Sequence, residues 1–299
     1  MLRIFIFVAL VAGFFTRPAA DAAIKLPNVP DSLTSAQQRA EYLLHHFRDN
    51  IPNDSALFTD PEMMQVFVHT ASYCRDSVAK IEYRRLLHLS FSNPDYYSSL
   101  MYHLDYIMGD PASEYRNDLL METLLEDVIE STLPDDYKIW PRAKLQEVKR
   151  NRIGSKCADI EITTTSGDKI DLYGYADKRL LLVFASSTCP DCHRLLKSLP
   201  EDKPFNDFIR SSKLQVVTIY IDGKMPQDLS FPSDWIVGVD TKRRILDVGA
   251  YSAHHLPSFY IIDSGGVVEA KELTLKQLFA KYVNPSQTNL LPDATWTEF

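Results

Sequence analysis

Cys189-Pro190-Asp191-Cys192 is the part of this 299-residue sequence best equipped for chemistry. Two thiols with two residues between them fit within one helical turn and close a disulfide with little movement. They follow Leu180-Leu181-Leu182-Val183-Phe184-Ala185, a continuous apolar run that reads as a strand buried on both faces. They also open a helix whose apolar face is Leu195, Leu196 and Leu199. Cys192 precedes those leucines by three, four and seven residues, so it belongs to the same stripe and is predicted to point inward. Cys189 then stands one turn earlier, at the helix mouth. An outer thiol within reach of a partner and an inner thiol that resolves the mixed disulfide make a redox pair.

The helix start supplies activation. Unpaired backbone N–H groups and the positive end of the dipole stabilise a thiolate on Cys189. Pro190 at the first helical position gives up only an N–H that has no helical partner. The Asp191 charge acts in the opposite sense and offsets part of the dipole. His193 favours the thiolate if protonated and facing it. Two other readings of the motif stand beside redox chemistry. Half of a zinc site needs a second pair of ligands, and Cys74 and Cys157 are isolated in the sequence. A purely structural bridge over so short a loop gains little stability.

Other residues also carry groups capable of chemistry. His254 and His255, just before Leu256-Pro257, are candidates for a proton shuttle or for loop residues. His45 and His46 are adjacent in a helix and point about 100° apart, so they do not converge on one metal. Tyr96, Tyr97, Tyr102 and Tyr106 read as core and interdomain packing rather than as a peptide-binding platform. Cys74 and Cys157 are either two buried free thiols or a bridge between two regions of the chain. No metal site is expected, and there is no sign of a nucleotide, haem or flavin site.

The elements around the motif fall into two regions. From about residue 32 to 150 the pattern is helical, with five or six amphipathic stretches. Thr34 or Ser35 caps the first, and Asp60-Pro61-Glu62 opens another. Others run near 76–91, 94–108, 115–132 and 136–150, with Gly109-Asp110-Pro111 as a break. At Ile153-Gly154 the period changes. Residues 160–164 and 169–172 alternate around the Ser166-Gly167 turn as a hairpin. Strand-like runs follow at 180–185, 214–221, 235–239, 259–262 and 267–270, with a closing helix at 273–282. Strands alternating with helices and a terminal hairpin imply a mixed sheet covered by helices.

Composition narrows the partners. Lys and Arg number 32 against 40 Asp and Glu, a net charge of −8. An acidic chain without a basic block is a poor match for a phosphate backbone, so nucleic acid is not an expected partner. Met1-Leu2-Arg3, the apolar run Ile4–Phe15 and the small residues through Ala23 have the layout of a secretory signal rather than a membrane span. Cleavage after Ala20 or Ala22 is expected, leaving a soluble, exported, periplasmic protein where disulfides persist. The expected organisation is a signal peptide at 1–22, a helical domain at 23–152, an α/β domain at 153–283 and a tail at 284–299.

Residues 153–283 resemble a thioredoxin-fold domain of the TlpA/ResA type. The resemblance rests on Gly154-Ser155-Lys156-Cys157-Ala158-Asp159, on Leu181 through Cys192, and on Leu256-Pro257-Ser258-Phe259-Tyr260-Ile261-Ile262-Asp263 with Gly265-Gly266. It implies a two-domain α+β protein, all-helical first and thioredoxin-like second, with a mixed central sheet. It also implies Cys189 as attacking thiolate and Cys192 as resolving thiol. Thr188, Pro190 and Asp191 complete the active-site loop. Pro257 becomes a cis-proline facing the pair, with the Leu256 backbone offered to a substrate chain; X-Pro bonds are the ones eligible for that geometry. The sequence departs from the family at three places. Thr188 stands where many relatives have Trp, and Cys157 replaces a proline ahead of the first strand. Val183 occupies the position of thioredoxin's buried acid, which leaves Glu161 as a remote candidate for that role. The helical region resembles the companion domain of certain exported two-domain thioredoxin-like proteins.

These readings converge on an exported thiol–disulfide oxidoreductase without cofactor. Its expected partners are disulfide-containing client proteins and an exported or membrane electron donor, with reduction of envelope clients the expected direction. The contrasting reading is a binding protein whose helical domain captures a partner and whose dithiol senses or locks the state.

Overall fold

The computed structural model describes residues 26–51 and 54–285. The expected signal peptide and residues 286–299 of the expected tail lie outside the described residues. The described chain divides into two compact units between Leu145 and Gln146. Among the described residues no helix is long and apolar enough to cross a membrane.

The first unit is helical: α1 Ala36–His45, α2 Asp54–Thr59, α3 Pro61–Ala71, α4 Asp76–Ser90, α5 Pro94–Leu104, α6 Asp118–Glu130 and α7 Ile139–Lys149, which runs on into the second unit. The short α2 is the element that the sequence pattern does not disclose; six residues are less than two helical turns, too few for a period to show. Side-chain caps set the starts of α1, α3, α5 and α6. The Ser35 hydroxyl accepts from the Gln38 N–H and the Gln38 side chain accepts from the Ser35 N–H, a reciprocal box. Asp60, Asn93 and Asn117 cap α3, α5 and α6, and proline follows at the first position of α3 and α5. A wide turn, Asp105–Gly109, ends α5 at the break expected there.

Packing sorts the tyrosines. Tyr97 is buried and its hydroxyl donates to Tyr137 O at 2.9 Å. Tyr96 stacks on Phe58 at 5.1 Å between ring centroids. Tyr102 and Tyr106 are instead exposed, which corrects the packing role expected for them. They are four residues apart, on the stripe opposite Leu100, Met101 and Leu104, which face the core. His45 bonds to Glu82 at 2.8 Å and His46 to Asp49 at 2.7 Å, so the two imidazoles serve different carboxylates.

The boundary lies seven residues before the expected one because the last turn of α7 bonds into the second unit. Lys271 Nζ donates to Val148 O at 2.9 Å and to Arg150 O at 3.4 Å. Asn151, in the left-handed region at φ 46°, donates from its amide to Ala250 O at 2.8 Å and accepts from the Ala158 N–H at 2.7 Å. Asn tolerates that backbone better than other side chains.

The second unit is built on a seven-stranded sheet: β1 Glu161–Thr164, β2 Lys169–Asp171, β3 Arg179–Ala185, β4 Leu214–Tyr220, β5 Ile236–Val239, β6 Ser258–Ile262 and β7 Val268–Leu273. The order is β2-β1-β5-β4-β3-β6-β7. β3 pairs parallel with β4, and β4 with β5; the β1–β2, β1–β5, β3–β6 and β6–β7 pairs are antiparallel. Helices α8 Pro190–Ser198, α9 Lys203–Ser211, α10 Arg244–Asp247 and α11 Leu275–Leu278 complete it, α11 running on into a wide turn, Phe279–Val283.

Alternation along β3 divides the core. Leu181, Val183 and Ala185 face one cluster with Cys192, Leu196, Leu199, Phe205 and Phe208. Leu180, Leu182 and Phe184 face the other, with Tyr251 and Tyr260. Both faces of β3 are therefore dry, which is why its sequence shows no polar alternation.

Candidate active site

β3 ends at Ala185, and the loop Ser186-Ser187-Thr188 carries the chain to α8. Cys189 is the N-cap of α8, with extended backbone at φ −90° and ψ 110°. Its sulfur accepts the Cys192 N–H at 3.1 Å, in the place a capping oxygen usually fills. Pro190 occupies the first helical position, and the Cys189 carbonyl accepts the His193 N–H at 3.1 Å. Cys189 and Cys192 form a disulfide with their Cα atoms 5.3 Å apart. The two sulfurs differ in access as their spacing predicts: Cys189 is half-buried, and Cys192 is fully buried over Leu196 and Leu199. Each buried leucine there contributes about 1.5–3 kcal/mol by leaving water, so the inner cysteine rests on a rigid platform.

Across from the pair, the Leu256–Pro257 bond is cis. Cys189 Sγ lies 3.9 Å from Leu256 O. The fold thus brings together Cys189, Cys192, Leu256 and Pro257 from segments 67 residues apart. Thr188 is exposed, with its hydroxyl 3.0 Å from Ser186 Oγ. Pro190 and Asp191 are also exposed, and the Asp191 carboxylate is paired with the Arg194 guanidinium, which softens its effect on the thiol.

Three histidines turn elsewhere or outward. His193 Nε2 faces Asp228 Oδ2 at 3.3 Å rather than the sulfurs. His254 Nε2 faces Glu147 Oε1 at 3.3 Å, a position that serves the α7 end rather than a proton shuttle. His255 is exposed beside it. Glu161 is excluded as a substitute for the missing acid at Val183. It lies on β1, with β5 and β4 between it and β3, and its carboxylate pairs with Lys242 at 3.2 Å and Lys169 at 3.7 Å. Cys74 in the first unit and Cys157 in the second are each free thiols, half-buried and buried respectively. Burial pushes Cys74 up to about 12 and raises Cys157 as well.

Two contributors escaped the sequence reading. Asp222, just past β4, accepts three hydrogen bonds on Oδ2: from Ser186 Oγ at 2.9 Å, Ser187 N at 2.9 Å and Ser187 Oγ at 2.6 Å. Met225, Leu229 and Phe231 of the β4–β5 loop pack partly buried on the cluster that holds the dithiol. The signal for Asp222 was an acid two residues beyond a strand that pairs parallel with β3. Reading it requires knowing that pairing, because the C-terminal ends of adjacent parallel strands share one edge.

Comparison with known proteins agrees with this topology. Residues 167–274 match the thioredoxin-like domain family, and residues 11–151 match DUF5106, a domain of unknown function. The crystal structure of a thioredoxin-like protein from Bacteroides caccae is 25% identical, covering 90% of this chain and 100% of its own, with a TM-score of 0.74. The C-terminal domain of an uncharacterized Bacteroides fragilis protein is 26% identical over 44% of this chain and 98% of its own, with a TM-score of 0.38. The thioredoxin domain of a Bacteroides vulgatus thiol-disulfide oxidoreductase is 19% identical over 44% of this chain and 94% of its own, with a TM-score of 0.34. No curated protein matches the chain. The dithiol of Cys189 and Cys192 accordingly lies within the stretch that matches the thioredoxin-like domain family, after a helical region that matches DUF5106.

Proposed function

We propose that this protein is an exported thiol–disulfide oxidoreductase that reduces disulfides of envelope proteins. The observation that carries the reading is the asymmetry of the pair. The Cys189 sulfur is within reach of solvent and takes the Cys192 N–H at 3.1 Å, while Cys192 is sealed in the core.

In the reduced protein that N–H and the start of α8 favour a thiolate on Cys189 over its thiol. The thiolate attacks one sulfur of a client disulfide. A bond forms between Cys189 and that sulfur, the client S–S bond breaks, and the departing client thiolate takes a proton from water. A client strand is held beside Leu256 by backbone hydrogen bonds, with Pro257 setting the approach. Cys192 then loses its proton and attacks Cys189 Sγ. The Cys189–Cys192 bond forms, and the second client sulfur leaves and is protonated. Two electrons and two protons pass from the dithiol to the client. Another cycle requires a dithiol donor at the membrane or among exported proteins to return them.

Insulin reduction under dithiothreitol tests the chemistry. Cys189→Ala should abolish turnover. Cys192→Ala should accumulate mixed disulfides with exported proteins, identified by mass spectrometry. Full turnover by the Cys189→Ala protein would refute the mechanism. Recovery of partners that bind equally well without either cysteine would favour a binding module instead.

A further inference from the structure

Asp222 holds the loop that presents Cys189 with a single oxygen. Oδ2 takes all three donors from Ser186 and Ser187, whereas Oδ1 is buried with no hydrogen-bond partner among the described residues. The rest of the loop depends on the same anchor. Ser186 Oγ also accepts the Thr188 N–H at 3.2 Å, and Ser186 O accepts the Cys189 N–H at 3.2 Å. The register fixes why this residue is the one in reach. Ala185 pairs with Tyr220, so Ser187 and Asp222, each two residues on, leave the sheet side by side. Tyr220 packs in the same core cluster as Cys192, and its hydroxyl is also buried without a partner.

Asp222 is half-buried, and the hydrogen bonds it accepts favour its charged form. Burial raises the Asp222 pKa, but the bonds from Ser187 and Ser186 outweigh it and hold the carboxyl below its ordinary value. It therefore carries a fixed negative charge at the end of the strand that neighbours the dithiol loop. Val183, where an acid would sit under the pair, is aliphatic and fully buried.

We propose that Asp222 is the positioning residue of the dithiol: it pins the Ser186–Thr188 loop and sets the ionisation of Cys189 through its charge. This rests on the oxidoreductase reading above, because it concerns the same sulfur. The charge opposes the helix start. It keeps the thiolate from becoming too stable to leave, and so favours a disulfide over a dithiol in Cys189–Cys192, which is the sense a reductase needs. Tyr220, which ends β4, is the titratable group that feels the Asp222 charge; Asp228 of the β4–β5 loop acts on the same Tyr220 and pairs with His193 on α8.

The test is the pH profile of iodoacetamide alkylation at Cys189 in the reduced protein, together with its equilibrium with glutathione. Asp222→Asn removes the charge and keeps an acceptor oxygen. The profile should move to lower pH, and the equilibrium should shift about fivefold toward the dithiol, the scale of one partly screened charge. Asp222→Ala also loses the anchor, so insulin turnover should fall about tenfold, with partial recovery in the Asn variant. Profiles and equilibria that coincide with the parent's, or an Ala variant as fast as the parent, would overturn the proposal. Should the variants not fold, the parent decides. The Asp222 carboxyl ¹³C resonance should shift as Cys189 ionises in the reduced protein and stay still in the oxidised one, and a resonance blind to that step refutes the coupling. Alkylation reads the thiol directly, so it still tests Asp222 if the parent turns over no insulin, an outcome that would sink the oxidoreductase reading alone.

Discussion

Reduction of the Cys189–Cys192 disulfide with a phosphine leaves all four cysteines as thiols and sets up a competition for iodoacetamide that the structure decides. The thiolate is the reacting species. Burial holds Cys74 at about 12 against an ordinary 9.0. At pH 7.5 an ordinary thiol at that value is roughly 3% ionised, and one at about 12 roughly 0.003%, a thousandfold deficit. The more basic thiolate is intrinsically more nucleophilic. A Brønsted slope of ~0.45 over ~3 pH units returns about 20-fold, leaving Cys74 about 50-fold slower than an ordinary exposed thiol. Cys189, half-buried at the helix mouth with an N–H directed at its sulfur, should match or exceed the ordinary thiol. Cys157 and Cys192, both buried, should lag with Cys74. Peptide mapping after short pulses should therefore find Cys189 labelled first by at least that factor. Guanidinium should erase the difference. Labelling of Cys74 at a rate comparable to Cys189 in the folded protein would refute the reasoning, because it would mean that depth in the fold does not govern these thiols.

Three further outcomes follow from packing and charge. Gly238→Ala would place a Cβ 2.7 Å from Thr163 O and 3.2 Å from Ile162 Cδ1, where β1 closes on β5. Backbone cannot yield cheaply there, so thermal or denaturant unfolding should report a loss of about 1–3 kcal/mol. Asn151→Ala removes one buried and one partly buried hydrogen bond at a left-handed position and should cost about 2–4 kcal/mol in the same assay; a change under about 0.5 kcal/mol would contradict the anchoring role. Hydrogen bonds from Arg75 and Gln37 hold the Glu41 carboxyl down to about 2 from an ordinary 4.5. A depressed folded-state pKa stabilises the protein above the unfolded value, and the gain is lost as pH falls through the folded one. Melting curves of the parent and Glu41→Gln should thus differ above pH 4.5 and converge as pH falls toward about 2.

How much was legible beforehand differs between elements for identifiable reasons. β3 announced itself because both of its faces are buried, and α8 because Cys192, Leu196 and Leu199 repeat at the helical period. The inward turn of Cys192 and the outward position of Cys189 follow from that period alone. The β1–β2 hairpin was readable from alternation around Gly167, whose φ of 89° suits glycine. The helical unit was readable as helical, but Tyr102 and Tyr106 were not placed correctly. A stripe of aromatic residues says that one face is apolar without saying that something covers it. The bonds that hold the end of α7 and Asn151 within the second unit, from Lys271 and to Ala250, come from more than 90 residues away, so the sequence around residue 150 does not show them.

By itself the sequence determined the local part of the site: a strand, a turn, a capped helix start and two sulfurs on opposite sides of one helical turn. All of these depend on neighbours within about eight residues, so spacing and residue type are enough. Only the tertiary structure decided that Asp222 grips the loop, that Glu161 stands three strands away from β3, and that His193 and His254 face other carboxylates. Those relations are set by strand order and register, which bring distant segments to one edge of a sheet, and no local period encodes which segments will meet.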